Sequence, residues 1–341
     1  MGATTMTRVA ASGGGLPLAL TMGEPAGIGP EITIKAWSAR EAASLPCFFV
    51  TGDPALYQQL GVPVHVIGRP AEATAAFPRA LPVLPVPLAE RAKPGRLIPA
   101  NARAVLAAID LACDLAMNGM ADGLVTNPIH KGTLYEAGLQ LPGHTEYLAA
   151  RTGTTHVAMM LSCPDLRVVP ATVHMALKDV AAALSVASVT EQGRVLARAL
   201  RDSFGIARPR IAVAALNPHA GEDGHLGREE IDIIAPAIAA IRASEPFAEI
   251  WGPSPADTLF HADARARYDA VLCMYHDQAL IPLKTIDFEH GVNTTLGLPI
   301  IRTSPDHGTA LDIAGRGIAH PGSLVAALQA AGEMARRRAA A

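Results

Sequence analysis

The chain has 341 residues, half of them hydrophobic and 17% charged, with a formal net charge of −3. Such a length and apolar content suffice for a large core shared by two lobes, and the charge balance leaves no basic footprint for nucleic acid. No uncharged apolar run approaches a membrane span, the stretch before Leu16 lacks a signal-peptide core, and Cys47, Cys113, Cys163 and Cys273, with no C-x-x-C pair, fit reduced thiols in a cytoplasmic protein.

The first buried strand is expected at residues 16–22 (LPLALTM), followed by the turn GEPAGIG and a helix that Pro30 opens and that runs to Trp37. The spacing G-x-x-x-G-x-G is neither the dinucleotide fingerprint nor a Walker A loop, so a tight βα turn and a ligand-facing loop both stay open. Apolar runs at 47–51 and 64–67 continue the alternation, and the Pro-rich stretch 78–99 reads as a surface connection. Asn101 stands where it can cap a helix over 102–117, with Val105, Ile109, Leu111 and Leu115 near one face.

A short strand at 124–125 stops on Thr126-Asn127-Pro128-Ile129-His130-Lys131. Gly143-His144-Thr145-Glu146 then opens a helix reaching Arg151, either as an anion-binding helix start or with Thr145 as a plain cap. Runs at 157–162 and 166–173 flank the turn Cys163-Pro164-Asp165, and the second ends at His174. A helix over 190–204 leads to the run 211–216, which stops on Asn217-Pro218-His219. An amphipathic helix over 228–241 and the PSPADT stretch with Asp257 follow.

The run 270–275 stops on His276-Asp277-Gln278. Lys284, Asn293 and Arg302 come next, donors in apolar or Gly/Pro-rich surroundings. A buried cation or amide left without an acceptor costs several kcal/mol, so this region reads as a surface for something anionic. Residues 306–315 (DHGTALDIAG) read as a small-residue turn entering a short helix whose N–H groups can meet a nucleotide, and a helix over 323–338 closes the chain. Strands alternating with helices predict an α/β fold with a mostly parallel sheet and its ligand crevice at the carboxyl edge. His174, His219 and His276 each follow a strand-like run, so three imidazoles converge there on a divalent ion, zinc, cobalt or magnesium, a set suited to Lewis-acid catalysis.

The motifs GEPAGIGPEI, TNPIHK, GHTEYL, LNPHAGEDGHLG, PADTLF, MYHDQ and GVNTTLGLPIIRTSPDHGTALDIAG lie within a stretch running from Thr21 to about Ser323. Together they closely resemble those of the 4-hydroxythreonine-4-phosphate dehydrogenase (PdxA-type) family of vitamin B6 synthesis, which has an isocitrate/isopropylmalate dehydrogenase-like fold. The resemblance implies a two-lobed α/β/α architecture with the active site in the cleft between lobes. Residues 1–125 plus 290–341 form one lobe, with its NAD-side segment at 306–316, and 126–289 form the other, with metal and dimer contacts.

It also implies a homodimer with its active site at the subunit interface, so the metal ligands His174, His219 and His276 need not all come from one chain. Substrate contacts fall on His144, Thr145, Lys284, Asn293 and Arg302, catalytic roles on Lys284 and Asp257, and NAD or NADP contacts on His307, Gly308, Thr309, Ala310, Asp312 and Gly315. The implied reaction is metal-assisted oxidation of a small phosphorylated hydroxy acid, then decarboxylation. Asn127 stands where many relatives carry Gly. Phosphorylated threonate or erythronate, or the cis-dihydrodiol of terephthalate, are alternative substrates. A phosphate acyltransferase of the same fold and a zinc hydrolase are rival readings.

Overall fold

Leu18 and Leu20 face one apolar cluster and Ala19 the other, and all three are buried. Side chains along a strand alternate between faces, so a run apolar at every position must be covered on both. The computed structural model describes residues 15–138 and 143–340; the small-residue leader and Leu141-Pro142 lie outside them. It extends this two-sided burial across one continuous sheet. In chain order the strands are β1 (Leu18–Thr21), β2 (Phe48–Gly52), β3 (Val64–Val66), β4 (Leu81–Pro85), β5 (Leu124–Thr126), β6 (Ala158–Cys163), β7 (Leu166–Pro170), β8 (Arg210–Ala214), β9 (Glu249–Ser254), β10 (Ala270–Cys273), β11 (Val292–Leu296) and β12 (Arg302–Pro305).

Their spatial order is β3-β4-β2-β1-β5-β12-β11-β6-β7-β10-β8-β9. From β3 to β12 all neighbours are parallel, and so are those from β7 to β9. Between the two sets, β11 runs antiparallel to both β12 and β6, and β6 antiparallel to β7. Three reversals in a row make the two parallel sets run in opposite directions, and the chain crosses from one to the other through β11, β12 and β6.

The cores follow the same division. Leu20, Phe48 and Val83 pack on one face of the first set with the helix Gly29–Ser38 and the C-terminal helix Gly322–Ala340. Phe49 and Leu124 pack on its other face with Ile109 and Ala112 of the helix Ala102–Met117. Leu148 and Ala149 of the helix His144–Thr152 join that second cluster, which ties His144 to the first set. In the other set, Ala270 and Leu272 face the helices Val186–Asp202 and Ala235–Ser244, whereas Val271 and Cys273 face the helix His276–Ile286.

Several sequence expectations are corrected. The Pro-rich stretch contains β4, whose buried Leu81, Val83 and Leu84 place it between β3 and β2 despite two prolines that donate no hydrogen bond. Asn101 precedes its helix but does not cap it; its side chain accepts from Glu90 N and donates to Glu90 O. The helix expected from residue 190 starts at Val186, behind a reciprocal Ser185–Ser188 cap. No helix follows Asp306: residues 306–321 are turns, with Ala310, Gly315 and Gly317 at positive φ, and the next helix begins at Gly322. A helix N-terminus is therefore not what residues 307–315 offer a nucleotide.

At the base of the second set, Arg210 Nη2 donates to Asp269 Oδ1 at 2.9 Å, while Arg210 Nε and N both reach Oδ2. Burial alone would raise the Asp269 carboxyl, but these bonds outweigh it and hold the group below its ordinary 3.8. The folded state thus binds this proton less tightly than the unfolded chain, so the pair stabilises above 3.8 and loses its contribution as pH falls through the depressed range. Asp269→Asn is expected to lower the melting temperature at neutral pH, with the gap to the parent closing in acid; a constant gap in thermal scans across that range would refute this.

Candidate active site

Where the sheet reverses, alternate residues of three strands form the floor of a cleft of about 680 Å³. Register puts Ser304 beside Asn293 and Asn293 beside Leu161, with Arg302, Thr295 and Met159 in the neighbouring row. One wall is built by Thr126 at the end of β5, by Asn127, Pro128, Ile129 and Lys131 after it, and by the start of the helix His144–Thr152. The other carries His174, His276 and Lys284, and Asp306, His307 and Gly308 close one end. The carboxyl edge of the sheet supplies part of this cleft, as the sequence suggests, but its floor is a sheet face.

Arg302 dominates the floor. It is 3% exposed, and its guanidinium donates to Thr126 Oγ1 at 2.7 Å and to Thr295 Oγ1 at 3.0 Å, while Nε has no partner. No carboxylate bonds it. Burial lowers its pKa to about 10, with Glu146 acting in the opposite sense, so it stays cationic at neutral pH. His144 stands beside it, half-buried, with Nε2 enclosed and without a partner. Burial first, then the charges of Arg302 and Lys131, hold its imidazole well below 6.5, that is, neutral. Thr145 does not cap its helix; Gly143 holds that position, and Thr145 Oγ1 lies 3.3 Å from Thr295 Oγ1.

Among the described residues, nine side-chain polar atoms are buried without a partner, and five of them belong to cleft residues: Asn127 Oδ1, His144 Nε2, Asn293 Oδ1, Arg302 Nε and His307 Nε2. Buried polar groups are nearly always bonded, so such a concentration marks a surface built for a polar ligand. Lys284 Nζ sits 3.2 Å from Asp306 Oδ2, linking the far wall to the closing segment.

The candidate ligands divide. His174 and His276 meet in the cleft, ring centroids 5.8 Å apart. His276 Nδ1 lies 2.7 Å from Asp277 Oδ1, which orients the ring and suits Nε2 to a cation. His219 is not among the cleft-lining residues, and among the described residues of one chain no three His, Cys, Asp or Glu side chains form a metal-holding group. The three histidines do follow neighbouring strands, β7, β10 and β8, although turns separate His174 and His219 from their strand ends. Asp257 also lies outside the cleft, in the turn Ala256–Thr258 that packs on the turn Pro218–Gly224 carrying His219. Of the candidate nucleotide contacts, His307 and Gly308 line the cleft, whereas Thr309, Ala310, Asp312 and Gly315 do not.

Sequence reasoning singled out the segments carrying Thr126, Lys131, Glu146 and Asp306 without giving these residues a site role, and it missed Thr295 and Ser304. The signal was present in VNTTL and RTSP, where polar residues recur at every second position of otherwise buried strands, the pattern of a face turned to a cavity.

A buried cation, a neutral imidazole and an imidazole pair around a sheet-face cleft define an α/β enzyme that grips a small anion. The chain belongs to a family that gives this reading its context: residues 44–331 match the description "Pyridoxal phosphate biosynthetic protein PdxA". It is 55% identical over 330 residues to a 4-hydroxythreonine-4-phosphate dehydrogenase of Caulobacter vibrioides, covering 94% of this chain and 98% of that one. The crystal structure of the Klebsiella pneumoniae protein of that name superposes with a TM-score of 0.86 at 41% identity, over 94% and 99% of the two chains. A terephthalate 1,2-cis-dihydrodiol dehydrogenase from Burkholderia xenovorans LB400 superposes at 0.66 with 29% identity, over 94% and 98%.

His144 should remain neutral throughout the ordinary histidine range around 6.5. Its imidazole resonances, assigned by comparison with His144→Gln, are expected not to move in an NMR titration across that range, and a normal titration curve would contradict the geometry.

Proposed function

We propose that the protein oxidises 4-phosphooxy-L-threonine with NAD or NADP as acceptor, in a homodimer of the cytoplasm making pyridoxal phosphate, and that the 3-keto acid formed loses carbon dioxide to give 3-amino-2-oxopropyl phosphate. The observation that carries this reading is Arg302: a buried guanidinium bonded only to hydroxyls lacks the anion that would balance it, and a substrate phosphate supplies one. Family membership accounts for the dehydrogenase chemistry and leaves the acyltransferase and hydrolase readings without support.

In this reading Arg302, His144 and Thr145 hold the phosphate, and Asn293 Oδ1 orients the substrate's polar donors from the floor. Lys284, ion-paired with Asp306 at 3.2 Å, stabilises the negative charge on the substrate oxygen as the hydroxyl proton passes to water and the adjacent C–H leaves as hydride. The cleft residues fit a divalent ion through His174 and His276, with His219 as the third ligand and Asp257 beside it. His219 completes the set when its turn, or the same turn of a second copy, is brought to the pair. Such an ion, zinc, magnesium or cobalt, supplies Lewis-acid stabilisation of negative charge on the substrate oxygens. The dinucleotide, along residues 307–315, accepts the hydride.

Exposed Met175, Leu177, Ile281 and Phe288 lie within a few residues of the histidines or Lys284 and favour a second subunit covering this rim. Among the described residues no helix is long and apolar enough to cross a membrane.

The test is purified protein offered 4-phosphooxy-L-threonine, phosphorylated threonate and erythronate, and the terephthalate cis-dihydrodiol, each with NAD or NADP, following absorbance of the reduced nicotinamide. Turnover should be fastest with the phosphorylated threonine, vanish on chelation and return with a divalent ion; exclusive turnover of the dihydrodiol would defeat the substrate assignment. Arg302→Met is expected to raise the substrate KM roughly tenfold to a hundredfold, the range for losing a charged hydrogen bond of about 1.5–3 kcal/mol, while leaving the dinucleotide KM nearly unchanged.

A further inference from the structure

The segment after Asp306 packs Ala310, Ile313 and Ala314 against the core of the first strand set but makes few hydrogen bonds to the rest of the molecule. Among the described residues, the hydrogen bonds within 310–316 are local ones, Ile313 N to Ala310 O and Arg316 N to Ile313 O. Its near end is tied down where Ile28 N donates to Thr309 O at 3.0 Å, an approach so close that a Cβ at Gly27 would meet that carbonyl oxygen at 2.8 Å. Its far end is held by two side chains of the helix Gly29–Ser38. Lys35 Nζ donates to Gly317 O at 2.9 Å, to Ala319 O at 2.6 Å and to Glu31 Oε1 at 2.9 Å, so all three ammonium protons are used. Glu31 Oε1 accepts in turn from Ala319 N at 3.1 Å.

We infer that Lys35 and Glu31 are positioning residues that clamp the segment 307–319 in the shape that receives the dinucleotide. The inference rests on the assignment of the dinucleotide to residues 307–315. A segment of turns presents ligand-binding N–H groups only while its backbone keeps one course, and here no helix enforces that course. Packing of Ala310, Ile313 and Ala314 together with ties at both ends does so instead, and one helix supplies the clamp at the far end while the residue just before it supplies the near tie. Neither Lys35 nor Glu31 lines the cleft, so neither touches substrate.

If releasing the far end leaves about a tenth of molecules in the competent shape, the apparent dinucleotide Kd rises roughly tenfold, because apparent affinity scales with that fraction. Lys35→Met keeps the aliphatic stem and removes the ammonium. Since Glu31 is buried, Glu31→Gln/Lys35→Met is made alongside to remove the stranded carboxylate.

Expected are a rise of roughly tenfold in dinucleotide Kd and KM in both variants, with kcat changed by less than about twofold, faster hydrogen exchange at residues 310–318, and recovery in Lys35→Arg. Calorimetric titration of the phosphorylated substrate should be unaffected. Exchange that stays slow would overturn the clamp. Exchange that quickens while dinucleotide affinity holds would overturn the placement of the dinucleotide, and equal losses of both affinities would show a general fold defect and refute the positioning role.

Discussion

A guanidinium sealed into the middle of a sheet, with only threonine hydroxyls as partners, sets the terms for this molecule. Removing a cation from water costs several kcal/mol even after relaxation, and two bonds to neutral hydroxyls, about 1.5–3 kcal/mol each, bring no opposite charge to balance it. Arg302 is placed by β12, Thr295 by β11 and Thr126 by β5, so three strands from different parts of the chain cooperate in holding the charge. Its cost is borne by the large apolar clusters on either side of the sheet. Burial first, and then the same charge, keep His144 neutral around 6.5, so the candidate anion site combines one cation with a neutral neighbour.

That placement follows from the sheet's topology. In a wholly parallel doubly wound sheet, functional groups gather at the carboxyl ends because both faces are buried under helices. Here β11, β12 and β6 reverse direction in succession, and residues of all three line the cleft while the C-terminal helix packs on β11 and β12. A sheet face is thereby left open, and a face offers what an edge does not: rigid rows of side chains at fixed spacing, as in Arg302 beside Thr295 and Ser304 beside Asn293. The walls come from different halves, His144 from a helix packed on the first set and His276 from one packed on the second.

Much of this was legible in the sequence, and the rest had physical reasons not to be. Short apolar runs such as LAL and AVLC announce strands buried on both sides, and cationic or amide donors in apolar company announced Arg302 and Asn293. Strand order was not legible, since a run of apolar residues is compatible with any interior position, and so the open face and its second row, Thr295 and Ser304, stayed hidden. The helix expected after Asp306 failed because small residues favour turns as readily as helix starts, and the positive φ of Ala310 and Gly315 settles the matter locally. Imidazoles placed after strands proved a topological signal rather than a distance: β7, β10 and β8 are neighbours, yet only His174 and His276 meet within the cleft.

The reason His219 stands apart lies in its own backbone. His219, Ala220, Gly221, Glu222 and Asp223 are all left-handed, a conformation costing roughly 1–2 kcal/mol for each residue bearing a Cβ. Such a run persists only if its flanks are over-determined, and they are. The buried Glu230 carboxylate accepts from Leu216 N and Asn217 N at 2.8 Å each and from the Asn217 amide at 3.0 Å, and Gly221 approaches Glu230 so closely that a Cβ there would meet Oε2 at 2.7 Å. Strain of this kind at a polar turn accompanies function more often than accident. Because the bonds from Glu230 fix the base of the turn and not its tip, His219 rides on a segment whose energy would fall if its backbone relaxed. Glu230 thus holds the base of the arc that carries the His219 ring, which in one chain stands apart from the His174–His276 pair.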